Sequence, residues 1–154
     1  MPDDAAGLYS DKSDQGTSGQ TWLRGVQFTD EHGLATFQTI YPGHYQGRTT
    51  HIHIKVHTGA TDSKGKLTGG HVAHTGNVFP TEAVNTAVYK LPPYKADTAA
   101  IVPQARDFVY SGQHGSTARM KVTKAGNQLT KGLVGRITVA VDPTASPAPI
   151  GIHS

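Results

Sequence analysis

The sequence predicts an all-β fold, a β-sandwich of mostly antiparallel strands with one short helix. Three observations lead there. Gly (18) and Pro (9) punctuate the 154 residues at short intervals. The segments between them are brief and β-branched, the pattern of chains built from many short strands. From His51 to His57 the odd positions read His, His, Lys, His and the even ones Ile, Ile, Val. In an extended chain successive side chains point to opposite faces, so His51 and His53 project together while Ile52, Ile54 and Val56 face a core.

The elements follow in order. Strands are predicted over residues 24–29, 34–40, 50–57, 118–123 and 135–141. Asp30-Glu31-His32-Gly33 reads as a hairpin turn between the first two, with Gly33 suited to positive φ. After Pro80, Thr81 is placed to cap a short helix, in which Ala83, Val84, Ala87, Val88 and Leu91 form an apolar stripe. Pro92-Pro93 ends it. Residues 10–20 and 58–70, rich in Gly, Ser, Thr, Asp and Lys, read as exposed loops. Residues 1–142 are expected to form one domain, and 143–154, with three prolines among small residues, a flexible tail. There is no internal repeat.

Composition removes several function classes. Fourteen Lys and Arg face eleven Asp and Glu, for a formal charge of +3. The cations are scattered without a run or interleaved aromatics, so no nucleic-acid partner is expected. The absence of cysteine removes disulfides, thiolate zinc sites, iron–sulfur clusters and cysteine nucleophiles together. Any metal must therefore be held by His, Tyr, Asp, Glu or backbone oxygen. No apolar stretch reaches membrane-spanning length, and no charged-then-apolar leader opens the chain, so no membrane partner is expected.

The chemistry concentrates in Pro42-Gly43-His44-Tyr45-Gln46-Gly47-Arg48-Thr49-Thr50-His51-Ile52-His53-Ile54. This run places a phenol, a guanidinium and two imidazoles at a turn leading into a strand. Two imidazoles on one face, two residues apart, make half of a metal site. Phenolate is a hard anionic donor that suits Fe(III), whereas zinc prefers His with carboxylate or thiolate. Each piece has an ordinary alternative: His has many other roles, a Tyr after Pro-Gly commonly packs at a turn, and a lone Arg is a solvated charge. A zinc hydrolase would need a carboxylate or third His beside His51 and His53. His57 is expected to be exposed, and His44 to neighbour the site at most.

Taken jointly, Leu23-Arg24-Gly25, Thr29-Asp30, Gly33, Phe37, Thr39-Ile40, Pro42-Gly43, Tyr45, Gly47-Arg48 and His51-Ile52-His53 resemble the intradiol ring-cleavage dioxygenases. The likeness is to the short single-domain forms of actinobacteria and fungi that lack a helical dimerisation domain. Asp4-Ala5-Ala6-Gly7-Leu8-Tyr9-Ser10 resembles the segment that carries the family's first tyrosine ligand. The resemblance implies a mononuclear non-haem Fe(III) held by Tyr9, Tyr45, His51 and His53. It implies that Arg48 lies beside the bound catechol and stabilises charge on the ring, and that Tyr45 leaves the iron and acts as base. His74-Thr75-Gly76-Asn77-Val78-Phe79 matches a segment in which Gln usually stands at Asn77 and supports that arginine and the substrate. The shorter side chain is expected to alter rate and substrate preference. Only eight residues precede Tyr9, where the family has a core strand, so a segment upstream of Met1 is expected to have been removed.

The implied reaction cleaves a catechol between its two hydroxyl-bearing carbons with O2, giving a cis,cis-muconate-type diacid. Polar loops predict an open cleft that tolerates several ring-substituted catechols. The alternative is a non-catalytic β-sandwich binding or interaction domain that has lost activity. The tail resembles a linker, and short relatives are often exported, so a secreted protein is expected. Without the dimerisation segment, a monomer is expected.

Overall fold

A computed structural model describes residues 18–147. The described chain is β-rich, with two two-stranded antiparallel sheets and a few short helices. Strand β1 (Ile52–Ser63) pairs with β2 (Lys66–Val78), and β3 (Lys121–Lys124) pairs with β4 (Leu133–Arg136). The end of β2 ties the sheets together: Phe79 accepts from Met120 N–H at 2.8 Å and donates to the Ala118 carbonyl at 2.9 Å.

The alternation predicted for 50–57 is present from Ile52, with Ile52, Ile54 and Val56 half-buried and His53, Lys55 and His57 exposed; Thr50 and His51, just ahead of the strand, are buried. The strand is longer than expected. Residues 58–70, expected as an exposed loop, form the far half of the β1–β2 hairpin instead. Their polar composition fits two wet faces of a ribbon as well as it fits a loop, which is why composition misread them. A two-residue turn at Lys64 (φ 56°) and Gly65 (φ 77°) closes the hairpin, the mirror-image geometry that matches strand twist. Asp62 Oδ1 accepts from Gly65 N–H at 2.7 Å. The register slips between Val56 and His57, where Ala73 is left without a cross-strand partner and the ribbon bends. At Gly70 (φ 67°) a Cβ would lie 2.3 Å from the Thr58 carbonyl oxygen, so the two strands approach there only because no side chain intervenes.

The turn at 30–33 forms as read. Asp30 N–H donates to Leu34 O at 3.0 Å, Asp30 Oδ1 accepts from His32 and Leu34 N–H, and Gly33 takes φ 75°. The flanking strands predicted over 24–29 and 34–40 are not in any ladder among the described residues. No described layer covers them: Val26, Phe28, Leu34 and Phe37 are each more than half exposed.

Helix α1 (Glu82–Val88) follows its expected cap, the Thr81 hydroxyl accepting from Val84 N–H at 3.5 Å. Val88 turns into the core, and Ala83, Val84 and Ala87 line a shallow apolar groove with Val122, Leu129 and Leu133. The helix ends at Val88, so Leu91 lies beyond it. A second helix, α2 (Phe108–Gly112), was not foreseen; Asp107 caps it by accepting from Tyr110 N–H at 2.7 Å. Its five residues are too short for a periodic apolar stripe, so no helical pattern announces it. Among the described residues the buried apolar set is small (Ala73, Val78, Phe79, Val88). It is interleaved with buried His44, Thr49, Thr50, His51, Asn85, Gln104 and Asp107. The interior is therefore organised as much by directed hydrogen bonds as by apolar packing, and those of Thr49, Thr50, His51 and Asp107 lie at the entry to β1.

Candidate metal centre and arginine clamp

The turn Tyr45-Gln46-Gly47-Arg48 comes first. Arg48 N–H reaches the Tyr45 carbonyl at 3.4 Å, and Gly47 sits at φ 90° in the third position, where a type II turn requires positive φ. The phenol and the guanidinium are thus carried at the two ends of one turn. The chain then enters β1 through Thr49 and Thr50, both buried. The Thr50 hydroxyl is hydrogen-bonded to the Tyr89 hydroxyl and donates to the Gly43 carbonyl at 3.3 Å, tying the turn's base to the far side of the core.

His51 is fully buried. Its Nδ1 lies 2.6 Å from the Thr49 carbonyl, an acceptor only, so Nδ1 carries the proton and Nε2 keeps its lone pair. That lone pair faces His53 Nε2 at 3.1 Å. Burial, reinforced by the nearby Arg48 guanidinium, pushes the His51 pKa down to about 3, so the ring stays neutral near pH 7. A neutral, buried imidazole oriented by a backbone carbonyl is the state in which histidine binds metals. His53 is exposed, so the pair opens to solvent on its side. The Tyr45 and Phe79 rings each stand 6.0 Å from the His51 ring.

The spacing of the His51 and His53 Nε2 atoms, which also fits a hydrogen bond between the rings, is compatible with a shared metal ion. Two nitrogens about 2.1 Å from a common ion, at ~90–110° to one another, lie ~3.0–3.4 Å apart. The observed Nε2–Nε2 separation of 3.1 Å falls in that span. Among the described residues no group of three His, Cys, Asp or Glu is placed to hold an ion, which leaves the zinc alternative without its third ligand there. The Tyr45 ring, the harder donor that the resemblance implies, lies beside His51. Tyr9 lies outside the described residues.

Arg48 is held more firmly than the sequence suggested, and by a different residue. Its Nε donates to Asp107 Oδ2 at 2.8 Å, and its guanidinium carbon lies 5.1 Å from the centre of the Phe108 ring. The same carboxylate oxygen accepts Thr49 N–H at 2.8 Å. Burial alone would raise the Asp107 pKa, but the bonds from Tyr110, Arg48 and Thr49 hold it below the usual carboxylate value. Asn77, expected to support the arginine, pairs directly with His53 across the β1–β2 ladder. It therefore shares a face with that imidazole, while Arg48's carboxylate partner comes from the cap of α2. Sequence reasoning missed Asp107; the one available signal was an Asp heading Phe108-Val109-Tyr110, a cap followed by apolar residues.

His44 is buried, as a core group. Its Nε2 bonds the Ala99 carbonyl at 3.0 Å, its Nδ1 sits 3.3 Å from Asp97 Oδ2, and its ring packs at a tilt against Tyr89, with centroids 4.5 Å apart. His57 is exposed, as expected.

Comparison with solved structures places this geometry. An intradiol ring-cleavage dioxygenase from Tetranychus urticae superposes with a TM-score of 0.79 and 26% sequence identity, over 96% of this chain and 71% of that one. The chain is thus similar in structure to intradiol ring-cleavage dioxygenases. A second dioxygenase crystal structure agrees, with a TM-score of 0.80, 27% identity and the same coverage of 96% and 71%. No protein-family model matches the sequence, and no curated protein sequence does. The resemblance carried by Tyr45, Arg48, His51 and His53 and the structural likeness thus point to the same family.

Proposed function

We propose that the chain is an Fe(III)-dependent intradiol dioxygenase that cleaves catechols between their hydroxyl-bearing carbons to cis,cis-muconate-type diacids. The observation that carries this reading is the convergence of the His51 and His53 Nε2 atoms beside the Tyr45 ring, with Arg48 held at the other end of the same turn. Tyr45, His51 and His53 would hold the metal, with Tyr9 as the fourth ligand that the resemblance supplies. Ferric iron, when bound, supplies Lewis acidity that draws a catechol in as its dianion and makes the ring reactive toward O2.

The chain's own residues do the rest. His51 stays neutral and correctly oriented through its Nδ1–H bond to Thr49. Tyr45, half-buried at the lip of the site, takes a substrate proton on its phenolic oxygen as the catechol enters. Arg48 faces the ring with a buried terminal nitrogen, Nη2, that has no partner among the described residues. A fixed donor in a site shielded from water stabilises negative charge as it builds on the ring. Asn77, opposite His53, contacts the substrate from the β2 side.

The purified protein loaded with ferric iron tests this reading. Tyrosinate ligation gives a red to burgundy colour from phenolate-to-iron charge transfer, and the band shifts on adding catechol without O2. A protein that stays colourless after ferric loading is the non-catalytic domain instead.

A further inference from the structure

We infer that Asp107 is the positioning residue that presents Arg48 to the reacting ring, an inference that rests on the ring-cleavage reading above. Asp107 is fully buried, and all three of its partners are donors. Arg48 Nε (2.8 Å) and Thr49 N–H (2.8 Å) bind Oδ2, and Tyr110 N–H (2.7 Å) binds Oδ1. The guanidinium is planar, so fixing Nε at the carboxylate and one face over Phe108 fixes where the terminal nitrogens point. Nη2 is left buried and without a partner among the described residues, a donor held ready for an acceptor that arrives with the substrate.

The carboxylate does a second thing. By binding Thr49 N–H it fixes the peptide whose neighbouring carbonyl orients His51. Its own position is set by α2, whose Tyr110 ring packs edge-on against Phe79 at 5.0 Å, with the Phe79 ring 6.0 Å from His51. At Gly115 a Cβ would lie 2.6 Å from Tyr110 Cα and 2.7 Å from its ring, so α2 seats at that distance only over a glycine. One carboxylate thus couples the arginine and the entry to β1. Asp107 touches neither substrate nor metal; it acts through Arg48 and Thr49.

A carboxamide cannot replace it. With donors on both sides, Asp107→Asn must turn its NH2 toward at least one of them, so size is kept and the pairing is lost. In the iron-loaded enzyme Asp107→Asn is expected to lower kcat about 30-fold, with KM changed less than ~3-fold and the protein still coloured by bound iron. In an Arg48→Ala background the same substitution is expected to cost several-fold less than in the wild type, because only the Thr49 contact remains for it to act through. Equal losses in both backgrounds would mean that Asp107 only caps α2, and would overturn the inference. If Asp107→Asn does not fold, Arg48→Lys decides. Lysine can bind the carboxylate but cannot also present a planar second donor, so turnover should fall to the Arg48→Ala level. Turnover above half of wild type overturns the inference. An arm independent of catalysis uses the full-length, metal-free protein, where the Arg48 Nε–H proton should exchange slowly by NMR and become fast in Asp107→Asn. If the wild type itself shows no turnover, the ring-cleavage reading fails, and the exchange rate alone decides the clamp: fast exchange in the wild type refutes it.

Discussion

Acid should unfold the metal-free protein earlier than its composition suggests, and His51 is the reason. Its pKa is 6.5 as an ordinary imidazole and is pushed down to about 3 by burial, then by Arg48. The unfolded chain therefore binds a proton below pH 6.5 that the folded chain refuses until about pH 3. Stability is complete above pH 6.5 and falls as the pH falls through that window, because the unfolded state holds more protons there. At about 1.4 kcal/mol per pKa unit, the loss between pH 7 and pH 5 is about 2 kcal/mol, and the limiting loss is about 5 kcal/mol. The lowered Asp107 carboxyl adds its own loss only as the pH drops below the ordinary carboxylate value, well below pH 5. Urea unfolding followed by circular dichroism at pH 7 and pH 5 reads the effect directly. With a denaturant slope of about 1–3 kcal/mol per molar, the midpoint should fall by about 1 M. His51→Asn, whatever its stability at pH 7, should show a much flatter dependence. A wild-type midpoint that does not move, or a variant with the same slope, would refute the claim that His51 is buried neutral.

Other outcomes follow from single contacts. Arg48→Ala should keep the colour of the ferric protein yet lower turnover by about 10²–10³, the usual cost of removing a preorganised donor; a colourless but folded variant would make Arg48 structural. Gly70→Ala should lower the melting temperature more than Gly65→Ala. Both sit at positive φ, but only at Gly70 does a new Cβ collide with backbone, at 2.3 Å from Thr58 O. The strain common to both is about 1–2 kcal/mol. Thr81→Ala should cost about 0.5–1 kcal/mol in urea unfolding through loss of the α1 cap, and leave the iron band unchanged.

The parts of the site that lie within one stretch of chain were legible in the sequence. Strand alternation put His51 and His53 on one face, the run from Pro42 to Arg48 reads as a turn carrying Tyr45 and Arg48, and Thr81 announced α1. What the sequence hid depends on contacts between distant segments. Asp107 meets Arg48 across 59 positions of chain, and nothing local distinguishes that Asp from any other helix cap. The β1–β2 ribbon was hidden for another reason. Residues 58–70 are polar on both faces, so the apolar alternation that reveals a half-buried strand is missing, and positive-φ glycines that read as loop markers lie inside the ladder. Residues 24–29 and 34–40 show the converse. Their pattern is strand-like, but a strand also needs a ladder, and the described chain offers them none. Tyr9 lies outside the described residues, so the resemblance alone speaks for it.

The identity of the product tests the central claim most directly. Iron-loaded protein given catechol under ¹⁸O2 should form cis,cis-muconate carrying both atoms of one oxygen molecule, read by mass spectrometry, with the product lost in His51→Asn and His53→Asn. A ring opened outside the two hydroxyl-bearing carbons, a quinone in place of a diacid, or no ¹⁸O in the product would contradict it.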